Sequence, residues 1–129
     1  CARCGDACPT QAIDGDTRTI IANRCISTFT IETFKTVPPP AGYEKSAGEI
    51  FGCDICQEVC PWNQKKILVI EAFKEQAREH TEFFLLRSRE KIIADLSAMS
   101  KSMFKKTFIG TSFFRTGRHG ILKNLIAKK

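Results

Sequence analysis

Two stretches of this chain carry thiols at a repeated spacing: Cys1-Ala-Arg-Cys4-Gly-Asp-Ala-Cys8-Pro9 and Cys53-Asp-Ile-Cys56-Gln-Glu-Val-Cys60-Pro61. Both read C-x2-C-x3-C-P. Thiolates are soft ligands that suit iron–sulfur clusters, zinc or copper(I). The proline after the third cysteine and the x3 gap before it match the trailing part of C-x2-C-x2-C-x3-C-P, the run that wraps paired 4Fe–4S clusters. In that run the cysteine before the proline leaves its own cluster and ligates the other one. Each stretch therefore needs its twin. C-x2-C pairs also build Cys4 zinc sites, which is the main competing chemistry. The doubled spacing fits iron rather than a zinc ribbon.

Two cubanes require eight thiolates, and the chain supplies seven, at 1, 4, 8, 25, 53, 56 and 60. The pattern expects the eighth three residues before Cys1, so the sequence reads as a fragment cut through its first metal-binding motif. Ile50 stands where the second run would carry its leading cysteine, which leaves Cys25 to complete that site. By elimination, one 4Fe–4S cluster takes Cys1, Cys4, Cys60 and the upstream cysteine. The other takes Cys8, Cys25, Cys53 and Cys56. The alternative for Cys25 is a small buried hydrophobe.

The elements that must position these thiols are short. Asp14-Gly15-Asp16 is a turn signal between Ala12-Ile13 and Thr19-Ile20-Ile21, which predicts a small hairpin. A helix or turn is expected around Arg24-Cys25-Ile26, and Val37-Pro38-Pro39-Pro40 reads as an extended connector. Gly52 is expected to let the backbone approach a cluster, and Trp62 to shield one as a core aromatic. After residue 64 the texture turns helical, with Ile67, Ile70, Phe73 and Ala77, then Ile92, Ile93, Leu96 and Met99 at helical spacing. Ser100 is the expected N-cap of a helix carrying Met103, Phe104 and Phe108, with Gly110 to stop it, and residues 121–126 form a last short amphipathic helix. The fold class expected is α+β, mostly helical: a ferredoxin-like double 4Fe–4S domain over 1–64 and a small basic helical tail over 65–129.

Charge divides the chain at the same place. Residues 1–64 hold five Lys/Arg and eight Asp/Glu, or −3, whereas residues 65–129 hold fifteen and six, or +9. A basic half suggests a polyanionic partner, although a lysine-rich helical surface merely facing water gives the same count. There is no secretory segment and no apolar run long enough to span a bilayer, so clustered C-x2-C pairs point to a cytoplasmic metal protein rather than a disulfide framework. His80 and His119 pair with no cysteine at zinc-like spacing. No Ser/His/Asp or paired-carboxylate arrangement stands out, and no catalytic residue is assigned within this chain.

Longer strings narrow the reading. Arg24-Cys25-Ile26-Ser27-Thr28-Phe29-Thr30-Ile31-Glu32 and Phe51-Gly52-Cys53-Asp54-Ile55-Cys56-Gln57 through Cys60-Pro61-Trp62-Asn63 closely resemble epoxyqueuosine reductases. The tail is similar too, in Phe104-x3-Phe108-x-Gly110-Thr111 and in Arg115-x3-His119-Gly120-Ile121-Leu122-Lys123-Asn124. The chain departs mildly from that family: Thr28-Phe29 replaces Tyr-Leu, and Lys123 replaces Arg. The resemblance implies two 4Fe–4S clusters relaying electrons to a cobalamin, bound mainly by an N-terminal domain, for reduction of epoxyqueuosine in tRNA. It implies that Ser27, Cys53 and Asp54 lie near the cobalamin. Arg115, Arg118 and Lys123 are expected to grip tRNA phosphates. The expected partners are tRNA carrying epoxyqueuosine and an external low-potential electron donor, with no membrane, the protein working as a monomer. Without the cobalamin domain this chain alone is expected not to turn over. Other readings are a ferredoxin-type electron carrier, the cluster domain of a reductive dehalogenase, and a zinc-binding nucleic-acid module.

Overall fold

Prolines, glycines and cysteines interrupt the first half so often that no long element can form there. The computed structural model describes residues 1–65 and 82–127. Helix α1 (Arg3–Ala7) is followed by an antiparallel hairpin of β1 (Ile13–Asp14) and β2 (Thr19–Ile20), with Ile13 opposite Ile20. The Asp14 carboxylate accepts the N–H groups of Asp16 and Thr17 at 2.9 and 3.2 Å, which closes the expected turn. A 3₁₀ turn (Ala22–Arg24) and a π-helical turn (Thr28–Glu32) flank Cys25, and the proline segment forms neither helix nor strand. Gly42 then takes φ +91°, and a Cβ there would lie 2.2 Å from the Pro9 carbonyl oxygen. Only glycine lets the chain press this closely against the end of the first cysteine run. Helix α2 (Ile55–Glu58) lies within the second run.

The second half is helical: α3 (Arg89–Ala98), α4 (Lys101–Phe108) and α5 (Ser112–Ala127). Ser88 and the predicted Ser100 cap α3 and α4, each hydroxyl accepting the backbone N–H three residues on, at 3.3 and 3.1 Å. Phe104 and Phe108 of α4 point inward, whereas Met103 faces solvent. Helix α5 is longer than the expected 121–126 and breaks at Gly117, whose φ of +71° and ψ of 166° are non-helical. The core centres on Phe108, which is fully buried, with the rings of Phe83, Phe84, Phe104 and Phe113 within 6.2 Å of it, centre to centre. Leu96 and Ile121 fill the space between helices. The helical pattern over Ile67–Ala77, and His80, Lys128 and Lys129, lie outside the described residues.

A smaller apolar centre of Ile26, Phe29 and Tyr43 sits in the cysteine-bearing half. The two centres interlock: Ile50 packs on the larger and Ala127 on the smaller. Among the described residues, no helix is long and apolar enough to cross a membrane.

Candidate metal centre

The two cysteine runs fold alike, bond for bond. Ala2 and Asp54, each one residue after its run's first cysteine, share φ/ψ of −111°, 1° and −110°, 9°. The Ala2 carbonyl accepts N–H groups from Gly5 and Asp6 at 2.9 and 3.1 Å; the Asp54 carbonyl accepts those of Gln57 and Glu58, both at 2.8 Å. Cys8 N–H reaches Gly5 O at 3.1 Å, and Cys60 N–H reaches Gln57 O at 3.2 Å. The match continues past both prolines, with Gln11 N–H on Cys8 O at 3.1 Å and Asn63 N–H on Cys60 O at 3.0 Å. Equal spacing has produced like backbone from the first cysteine to the proline, the runs parting at Gln11, whose φ is +51°, and Asn63, which opens a 3₁₀ turn; α1 and α2 lie against each other.

All seven thiols are free. One hollow is bordered by Cys8, Cys25, Cys53 and Cys56, with apolar walls from Ala12, Ile13, Ile26 and Ile55. A second, more open one is bordered by Cys1, Cys4, Cys56 and Cys60. The last cysteine of each run thus stands with the first two of the other. Among the described residues, no three Cys, His, Asp or Glu side chains converge as ligands of a single ion must. The thiols ring spaces instead of a point, and this donor set fits a 4Fe–4S cluster.

The sulfurs do not share one environment. Burial pushes the Cys8 thiol up, but the Thr10 hydroxyl and the N–H groups of Ala12, Thr10 and Ile13 act the other way, leaving it below the ordinary thiol value. Ala12 N–H lies 3.3 Å from Cys8 Sγ and Thr10 Oγ1 lies 3.5 Å from it. Hydrogen bonds of this kind favour thiolate and tune a cluster's potential. Burial raises Cys53, and Glu49, Cys56 and Cys25 nearby raise it further, against a backbone hydrogen bond from Ile55.

The basic residues expected on tRNA mostly face the protein itself. Lys123 is buried, its ammonium donating to the carbonyls of Phe29 and Thr33, each at 2.7 Å. That corrects its assignment as a phosphate contact, because its charge is sealed between α5 and the π-helical turn. Arg118 donates to the carbonyls of Ser97 at 3.2 Å and Met99 at 2.7 Å, satisfying the C-terminal end of α3. Arg115 is exposed and pairs with Glu32 at 2.6 Å. His119 lies 3.4 Å from the Thr36 hydroxyl. Arg115 before the break at Gly117, and His119 and Lys123 one turn apart after it, all meet residues 29–36, so both parts of α5 clasp the segment after Cys25. Trp62 is also corrected: it is 84% exposed, because Asn63 bonds back to Gln57 and turns the chain away. Ser27 and Cys53 are half-buried, and Asp54 is exposed at the start of α2.

Sequence reasoning missed Asn124 as a structural contact. It is fully buried and donates from Nδ2 to Thr30 O at 2.7 Å and Ile50 O at 2.8 Å. Its place in the tail motif was the only signal, and it gave no partner.

Residues 1–63 match the family described as a 4Fe-4S double cluster binding domain. Over 125 residues the chain is 35% identical to an epoxyqueuosine reductase of Cyclobacterium marinum, covering 97% of this chain and 36% of that protein. The enzyme of the same name from Leadbetterella byssophila is 36% identical over 126 residues, covering 97% and 37%. That from Synechocystis is 48% identical over 65 residues, covering 50% and 22%. A solved structure of epoxyqueuosine reductase from Streptococcus thermophilus superposes with a TM-score of 0.68 at 28% identity, covering 98% of this chain and 30% of that one. The chain spans between about a fifth and two fifths of the length of these relatives. It belongs to the epoxyqueuosine reductase family.

Proposed function

We propose that this member of the epoxyqueuosine reductase family is the electron-relaying part of its enzyme. Cys8, Cys25, Cys53 and Cys56 would hold one 4Fe–4S cluster, and Cys1, Cys4, Cys60 and a thiolate three residues before Cys1 the other. When bound, the clusters supply single electrons for reduction of epoxyqueuosine in tRNA at a cobalamin held mainly outside residues 1–129, near Ser27, Cys53 and Asp54. An external low-potential donor feeds them, and the protein works as a cytoplasmic monomer. Residues 1–64 form the double-cluster domain and 65–129 the basic tail.

The observation that carries this reading is the hollow shared by Cys8, Cys25, Cys53 and Cys56, three segments distant in sequence whose thiols border one space. The chain's own part is to keep four sulfurs in place, exclude water with Ala12, Ile13 and Ile26, and hold the Cys8 sulfur by the Ala12 N–H. The phosphate contacts belong to α4 rather than α5. Lys101, Lys105 and Lys106 are exposed there, with no ion-pair partner among the described residues.

The test is iron and sulfide analysis, with EPR after reduction, on full-length protein purified anaerobically. About eight iron and eight sulfide per chain are expected, falling to about four in Cys25→Ala. Stoichiometric zinc without iron would overturn the reading. Residues 1–129 alone are expected to show no turnover.

A further inference from the structure

The last helix contributes no cysteine, yet its one fully buried polar side chain reaches the two segments that flank the apolar-walled hollow. Asn124 uses both hydrogens of its carboxamide: one goes to the carbonyl of Thr30, five residues after Cys25, and one to that of Ile50, three residues before Cys53. A second rung lies beside the first. Thr30 Oγ1 donates to Ile26 O at 2.9 Å and accepts the Gly52 N–H at 3.1 Å, so one hydroxyl joins the residue after Cys25 to the residue before Cys53. The Cys25 carbonyl is itself fixed, accepting the Phe29 N–H at 3.0 Å. Hydrogen bonds thus run from Asn124 through Thr30 to within one residue of both Cys25 and Cys53.

We propose that Asn124 is a positioning residue for the Cys8/Cys25/Cys53/Cys56 centre, setting through Thr30 how far apart the Cys25 and Cys53 sulfurs stand. The proposal rests on the reading of those four cysteines as cluster ligands. If Asn124 merely filled space, an apolar side chain of similar volume would serve better, because its Oδ1 is buried with no partner among the described residues. A buried polar atom left unpaired is costly, so the carboxamide is retained for what its two N–H groups hold. Residues that orient metal ligands without touching the metal control both affinity and electronic properties. Cluster potential in particular responds to hydrogen bonding and solvent access at the sulfurs.

The test compares full-length wild type, Asn124→Leu, Thr30→Val and Thr30→Ser, each loaded anaerobically with iron and sulfide. Cys25→Ala identifies which EPR signal and which potential belong to this centre. In Asn124→Leu and Thr30→Val, that signal and potential are expected to shift, and iron loss to a chelator to quicken several-fold. The other cluster's signal should stay as in wild type. Thr30→Ser keeps the hydroxyl and should keep the wild-type signature. If Asn124→Leu does not fold, the two Thr30 variants decide. Unchanged signals with only a lower melting temperature would overturn the proposal, as would equal changes in both clusters. Wild type that takes up no iron would instead overturn the cluster reading, and this inference with it.

Discussion

Lys123 sets its ammonium 3.9 Å from the centre of the Phe29 ring and 2.7 Å from the carbonyl oxygen of that same residue. No carboxylate shares its site among the described residues; a ring face and two carbonyls take the charge. Ring faces attract desolvated cations, which explains how a lysine is tolerated where burial pushes its pKa below the ordinary value.

Lys123→Met keeps the apolar stem and leaves the Phe29 and Thr33 carbonyls without their donor. A loss of about 2 kcal/mol in urea unfolding is expected, the cost of orphaning buried acceptors. Because the folded pKa is depressed, the unfolded chain holds this proton more firmly between the lowered value and 10.5, so stability rises with pH across that window. The variant should lack that share of the rise.

Asp95 gives the opposite limb. A hydrogen bond from Lys91, followed by attraction to Lys91 and contacts from Arg87, holds its carboxyl below the usual range. The stability this contributes is present above the unfolded value of 3.8 and is lost as pH falls through the folded one. A carboxyl NMR titration should show the low midpoint, and Asp95→Asn should flatten the acid limb of a melting-temperature profile. An ordinary midpoint for Asp95 would refute the contact's role.

Gly42→Ala tests the close approach beside Cys8. Its φ of +91° and the 2.2 Å gap to the Pro9 oxygen leave no room for a methyl group without moving backbone. Destabilisation of about 2 kcal/mol or more is expected, read by thermal or denaturant unfolding. A neutral result would mean that the proline segment moves freely over the first run.

The tail's charges separate into two sets. Replacing Lys101, Lys105 and Lys106 together should weaken tRNA binding by the full-length protein and flatten its dependence on salt, by about 0.7–0.9 in log–log slope per lost contact. Lys123→Met and Arg118→Ala should leave that slope unchanged. Binding titrations at several salt concentrations separate these outcomes.

These cases also show what the sequence made legible. The repeat of Cys-x2-Cys-x3-Cys-Pro dictated both backbone and placement, because cysteine spacing and proline constrain the chain locally. Ser100 and the Asp14 turn were readable for the same reason: each acts on N–H groups within three residues. Lys123 and Trp62 were not. Charge count says nothing of which way a side chain points, and Lys123 meets its partners across 94 and 90 residues of sequence. Asn124 reaches across 94 and 74. Long-range hydrogen bonds leave no periodic trace, so only the fold reveals them.

The twinned runs carry one more consequence. Each hollow borrows its border from both runs, with Cys8 facing the second run's leading thiols and Cys60 facing the first's. Such an arrangement resists being parcelled out. Grafting residues 53–61 onto another scaffold would transplant two thiols of one site and one of the other, and the whole of neither. Deleting one run would empty both. The two runs therefore stand or fall together, since each supplies thiols to both hollows.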